Sequence, residues 1–306
     1  MQLDKTKISI RQRSLLETFD LSLLLIREYW KPILFWSLAG AAPMMILNFI
    51  VLWPLLQYEP ILLQSSYEWT EGWLRFRYLF HSSVLVFLES PLAMLGTTFY
   101  LGQAVFVEKP STREVLHAIR KRFFGSFLVL GILRGGLLGI PLLMLLWPEG
   151  RFSAAVEVLF IGLVLVGIVG ALRASRPFAP EILILEQCPL RAPQNKSGMS
   201  YSKRSYSLHT PLSSDLIGRF LLAFMLFGVS LPILMFGEAF LINVSTDSMV
   251  WNWWYDLLLT PINLWLIATW ATVFRFLSYI DSRIRLEGWE IDLRLRAEAE
   301  RLEAAA

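Results

Sequence analysis

The chain is poor in the residues on which most enzymes and metal proteins depend. Cys188 is its only cysteine, so no internal disulfide forms. It falls in a segment read below as cytoplasmic, where a thiol stays reduced. The three histidines, His81, His117 and His209, are scattered and resemble no ligand set. The patterns G-x-x-x-x-G-K-[ST], H-E-x-x-H and G-x-S-x-G do not occur. His209 and Asp215 share a loop, the one place where an acid/base pair can be drawn, but no nucleophile or metal set stands beside them. The expectation is therefore a non-enzymatic protein with no catalytic, cofactor or metal site. Charge is scarce as well. Charged residues make up 17% of the chain, well below the quarter or so usual in soluble domains, and the net charge is only +3. No nucleic-acid partner is expected.

Apolar residues fill the gap. Six long runs, 33–53, 82–107, 126–147, 152–172, 220–244 and 257–274, each carry at most one charge. Each is long enough for a helix to cross roughly 30 Å of hydrocarbon. The sequence predicts an all-α bundle of six transmembrane helices forming one membrane domain over 1–306. The first run follows about thirty charged and amphipathic residues with no small-residue cleavage site behind it. It reads as a retained span.

Basic residues set the orientation. Of the 28 lysines and arginines, 24 fall in the N-terminal segment, the loops after the second and fourth runs, and the C-terminal tail. The alternate loops hold only Arg75, Arg77 and Arg151, and Arg134 lies inside a run. Basic flanks resist translocation, so both termini are expected in the cytoplasm of a bacterial inner membrane.

The chain reads as three repeats, at 14–107, 111–175 and 200–280. Ser14 with Glu17 and Ser111 with Glu114 are S-x-x-E capping boxes, in which both side chains satisfy free amides at a helix start. Each box precedes an amphipathic stretch, basic residues and a run containing a proline. Ser202 begins a third unit, with Ser205 where the glutamate belongs. Leu16, Phe19, Leu23, Ile26 and Trp30 form one helical stripe, and Val115, Ile119 and Phe123 another beside Arg120, Lys121 and Arg122. Such helices suit the headgroup layer, and equally suit closing the bundle's cytoplasmic face.

Seven of the twelve tryptophans, 53, 69, 73, 147, 251, 253 and 254, lie in or beside the predicted outer loops and suggest an anchoring belt. Segment 59–78 is expected to lie on the outer surface. In the long cytoplasmic connection 173–215, Glu181-Ile-Leu-Ile-Leu-Glu186 reads as a short strand or a helix extension, and 191–214 as polar and mobile. Residues 281–306 read as a cytoplasmic helical tail that Gly288 bends.

Arg134 is the most unusual residue. A bare arginine at mid-span costs on the order of 3 kcal/mol even on lenient scales, so it is expected to face protein or water and to have a partner. Glu89 is the first candidate for an intramembrane pair; Glu238 and Glu157 are runners-up. Such a pair either fixes helix register or marks an ion path. Gly131, Gly135 and Gly139 frame Arg134, and Gly162, Gly167 and Gly170 suggest a second close helix contact. Prolines 43, 91, 141, 232 and 261 imply kinks whose freed carbonyls need partners.

The helix-plus-hairpin pattern resembles the membrane domain attached to some bacterial glycerophosphodiester phosphodiesterases. Arg176-Pro-Phe-Ala-Pro-Glu-Ile-Leu-Ile-Leu-Glu186 and Tyr279-Ile-Asp-Ser-Arg-Ile-Arg-Leu-Glu-Gly-Trp289 look like an uncharacterised group of multi-pass membrane proteins seen often in planctomycetes. No phosphodiesterase domain is present, so that activity does not carry over. The resemblance implies, by association, a scaffold or partner subunit of an envelope assembly. The rival expectation is a small transporter using Arg134 and Glu89. A wet cavity at Arg134 favours transport; a dry, paired arginine favours scaffolding. The expected partners are the lipid bilayer and other membrane proteins; a small-molecule substrate is not specified.

Overall fold

A computed structural model describes residues 11–57, 68–105, 110–135, 137, 159–191, 199–246 and 254–288. Among them every regular element is a helix. In chain order these are α1 (Leu15–Glu28), α2 (Trp30–Gln57), α3 (Glu68–Ala93), α4 (Leu95–Ala104) and α5 (Thr112–Ser126). Then come α6 (Gly167–Ser175), α7 (Ala179–Ile184), α8 (Tyr201–His209), α9 (Ser213–Thr246) and α10 (Thr260–Glu287). Wider π-helical turns, Phe127–Leu133, Phe160–Val166 and Tyr255–Leu259, extend α5 and lead into α6 and α10.

Three helical stretches are long and apolar enough to cross a membrane: Trp30–Trp53, Tyr201–Thr246 and Tyr255–Glu287. A fourth, Phe76–Ala93 with Leu95–Ala104, is bent by 46° at Met94. The described residues therefore hold three or four of the six expected spans. The end of the third run and the start of the fourth, at 138–158, lie outside them, as do Pro141, Gly139 and Glu157.

Local chemistry explains the helix ends. Both capping boxes form: Ser14 Oγ accepts from the Glu17 N–H and Glu17 accepts from the Ser14 N–H, and Ser111 and Glu114 repeat the pattern. Together they satisfy two amides that a helix start leaves free. The backbone bond from Ser14 also holds the Glu17 carboxyl below its ordinary pKa. The third unit starts differently. Its N-cap is Ser200, not Ser202, and no side chain caps it. The joints differ too: α1 breaks from α2 at Tyr29, α5 runs on into its π-turn, and a 3-10 turn at Thr210–Leu212 joins α8 to α9. Among the described residues only the two boxes repeat, and most of the second unit's hairpin lies outside them.

The third run is not one straight helix. After Leu133 the chain leaves the helix at Arg134, and Gly135 takes φ +73°, a left-handed conformation that side chains disfavour. Of segment 59–78, residues 59–67 lie outside the described residues. Residues 68–78 form the first turns of α3, and Tyr78 is buried. A Cβ at Gly162 would meet the Phe80 ring of α3 at 3.4 Å, whereas Gly167 and Gly170 have nothing within 4 Å among the described residues. Residues 281–287 are helical and continue α10, with Asp281 and Ile284 buried, and 289–306 of the expected tail lie outside the described residues. Gly288, at φ +66°, caps that helix.

α10 is the hub. It touches α1, α2, α3, α4, α8 and α9. In its most apolar stretch 44% of residues are buried, against 0% for the stretch containing α9, so α9 forms the outer wall. α1 packs on α10 through Thr18, Ser22 and Leu25, and Trp270 Nε1 donates to Ser22 Oγ at 2.9 Å. Leu16, Leu23 and Trp30 of its apolar stripe point outward instead. A helix with a polar inner side and an apolar outer side suits a bilayer-facing position.

Candidate functional site

The structure gathers charge at one end of the bundle, where the start of α1, the turn before α7, α8, the start of α9 and the end of α10 meet. Asp281 is its centre and is 1% exposed. It accepts from the Arg13 backbone N–H at 2.9 Å and from Arg219 at 2.7 Å, and Arg285 lies 3.0 Å away. Arg219 also reaches Asp215 at 2.9 Å, and Arg285 donates to the Arg13 carbonyl at 2.7 Å. Burial lowers the pKa of Arg13 from its ordinary value.

A second node joins α7, α8 and α10. Arg204 forks onto Glu186 and reaches Glu287 at 2.6 Å. Arg283 reaches Glu287 at 2.6 Å, and the Tyr279 hydroxyl donates to Glu186 at 2.6 Å. Phe178 packs edge-on against Tyr279. Residues of the two stretches 176–186 and 279–288 thus meet in space. Glu181, completely buried, pairs with Arg275 at 2.8 Å. Glu181–Glu186 belongs mostly to α7, a helix extension rather than a strand. Cys188 borders this node, and burial raises its thiol pKa, with the neighbouring Glu186 charge adding to the effect.

His209 does not pair with Asp215. It is 2% exposed, stacks on Phe178, accepts from the Phe178 N–H at 3.1 Å and bonds the Ser205 carbonyl through Nδ1. That places it as a cap on α7, because Phe178 is the N-cap residue of that helix. Residues 199–214, expected to be mobile, are largely the ordered α8 and its 3-10 turn.

Arg134 and Glu89 do not meet. Arg134 donates to the carbonyls of Leu172 at 2.8 Å and Arg176 at 2.5 Å, the open C-terminal end of α6. The Leu172 carbonyl also accepts the Arg176 N–H at 3.1 Å, and both carbonyls stand at the negative end of the helix dipole, where a guanidinium is well placed. Glu89, fully buried, accepts instead from Asn48 at 2.9 Å. Glu238 accepts from Asn263 at 2.7 Å. The expected pair fails because the helix ends at Arg134, and the ladder of depths drawn for a straight span does not apply.

Arg173 was not singled out in the sequence. It donates to the carbonyls of Phe87 and, at 2.6 Å, of Leu88, and lies 4.3 Å from the Phe87 ring centre. Pro91 has no N–H, so it frees the Phe87 carbonyl four residues earlier. The kink at Pro91 therefore has its partner, as membrane helices require. The signal was present in the proline, but the arginine that answers it lies 86 residues away.

Among the described residues no group of three or more His, Cys, Asp and Glu side chains is placed to hold a metal ion. The chain matches no protein-family model, no curated protein sequence and no solved structure. The functional reading rests on this geometry.

Proposed function

We propose that the chain is a non-enzymatic integral membrane protein of a bacterial inner membrane, serving as a scaffold or partner subunit of an envelope assembly. The observation that carries this reading is the locked charge network. Glu181, Glu186, Asp281 and Glu287 are each held by guanidinium groups, and the pairs tie elements far apart in sequence into one frame. A fixed frame suits a docking platform. An ion or proton path needs groups free to exchange partners. The contact between Arg13 and Asp281 also supports placing both ends of the chain on one side, because it brings the start of α1 to the end of α10.

The outer wall supplies the surface. Met225, Ile233 and Leu241 on α9 are more than half exposed. A photoreactive residue placed singly at Met225 and Ile233 is expected to give, in living cells, a discrete adduct with a second membrane protein at one position or both. Lipid-sized adducts alone at both positions would contradict a partner role. A second reading, a small transporter, draws support from the cavity that Arg134 borders. Glu89 is not part of that cavity's lining, so a path through both residues is not what it forms.

A further inference from the structure

Between α3, α9 and α10 lies a cavity of about 380 Å³. That falls within the roughly 300–1,000 Å³ usual for small-molecule sites. Its wall is overwhelmingly apolar and includes Leu216, Phe220, Phe227, Leu231 and Leu264. Four arginines, Arg134, Arg173, Arg219 and Arg275, border it.

Charge is out of balance there. Arg275 has Glu181, and Arg219 has Asp281 and Asp215. Arg134 and Arg173 have carbonyl partners, and among the described residues no carboxylate within salt-bridge distance. Carbonyls orient a guanidinium but do not neutralise it, and even a half-buried cation beside an apolar wall gains from a counter-charge. Arg219 adds a second observation. It is 4% exposed, and its Nη1 is buried with no hydrogen-bond partner. The site has surplus positive charge and an unfilled donor beside an apolar chamber.

We propose that this cavity binds an anionic amphiphile, with a phosphate ester at the arginines and a hydrocarbon chain along α9 and α10. Guanidinium groups match phosphate oxygens with paired donors, and the phosphate supplies the missing negative charge. Entry is sideways. Phe224 lines the cavity yet is 57% exposed on the outer wall, so the mouth opens toward acyl chains if α9 faces lipid. The inference rests on the membrane reading, and on neither the scaffold nor the transporter role.

The test uses the full chain purified in mild detergent, stripped of lipid, and followed by native mass spectrometry. The probes are dioleoyl phosphatidic acid, dioleoyl phosphatidylcholine and inorganic phosphate. One phosphatidic acid is expected to be retained per chain, at least tenfold more tightly than phosphatidylcholine. Inorganic phosphate at millimolar concentration is expected not to displace it, which assigns the source as lipid. Arg173→Gln is expected to lose at least tenfold in retention. Because Arg173 also braces the Pro91 kink, Ala223→Trp serves as the second variant: it fills the chamber, leaves every arginine in place, and is expected to lose retention equally. Equal retention of the two lipids, full displacement by inorganic phosphate, or undiminished binding by Ala223→Trp would overturn the proposal. Recovery of the chain in the soluble fraction without detergent would instead overturn the membrane reading.

Discussion

Asp281→Asn is expected to be the most damaging single change in the chain. The substitution keeps the shape of the side chain and removes its charge. Arg219 then sits 4% exposed with only Asp215 as a counter-ion, and an amide NH2 faces groups that are themselves donors. Losing one partner of a buried ion pair typically costs about 3–5 kcal/mol, because the other charge is stranded. Net stabilities are only about 5–15 kcal/mol, so roughly a fifth or more of the total is at risk. The melting temperature of the detergent-purified protein should fall by roughly 10 °C. Arg11→Gln provides the contrast. Arg11 meets Glu17 at 3.0 Å, but both side chains are about half exposed. Solvent screens such a pair, and the shift should stay within the range of a surface substitution. If the two variants melt together, Asp281 is not the centre of the network.

The second large effect is expected at Gly40. Helix propensity alone says that alanine at this position stabilises by about 1 kcal/mol. Packing says the opposite. A Cβ at Gly40 would lie 1.8 Å from the carbonyl oxygen of Ala93, a backbone atom that no rotamer change can move. Here α2 crosses the end of α3, one residue before the bend at Met94, and Ser37 and Thr97 share a 2.9 Å hydrogen bond nearby. Overpacking a core typically costs about 1–3 kcal/mol, and backbone obstruction puts this case at the upper end. Gly40→Ala should therefore destabilise. Gly237→Ala, where nothing lies within 4 Å of the new Cβ, should be neutral or slightly stabilising. Thermal unfolding of the two variants side by side decides it, because the predicted shifts have opposite signs.

The helices were legible in the sequence where a single local cause sets them. The apolar runs 33–53 and 257–274 fall inside continuous helices, and Ser14 and Ser111 cap theirs as the S-x-x-E spacing predicts. Failures came where two distant segments decide the outcome. Arg134 reads as mid-span only if the helix continues, and the left-handed Gly135 ends that helix. Hydropathy sees the apolar residues on both sides and not the turn. The site was hidden for a related reason. Arg219, Arg275 and Asp281 read one by one as ordinary loop and tail charges. Their burial comes from contacts 62 and 94 residues apart in sequence, which charge counting does not register. The charges of 176–186 and 279–288 are answered chiefly by arginines elsewhere in the chain: Glu181 by Arg275, Glu186 and Glu287 by Arg204, and Asp281 by Arg219.

The central claim is a membrane bundle with its charge network and both chain ends on the cytoplasmic side. Thiol labelling tests this most directly, since Cys188→Ser leaves a chain with no cysteine. Single cysteines then replace Ser65, Ser248 or Ser197 and are exposed in intact cells to a maleimide that does not cross the inner membrane. Ser197 lies in the chain between Glu186 and Arg204, two members of the network, and so reports its side. The account predicts labelling at 65 and 248 from outside, and labelling at 197 only after the membrane is opened. Labelling at 197 in intact cells, with 65 and 248 protected, would contradict it.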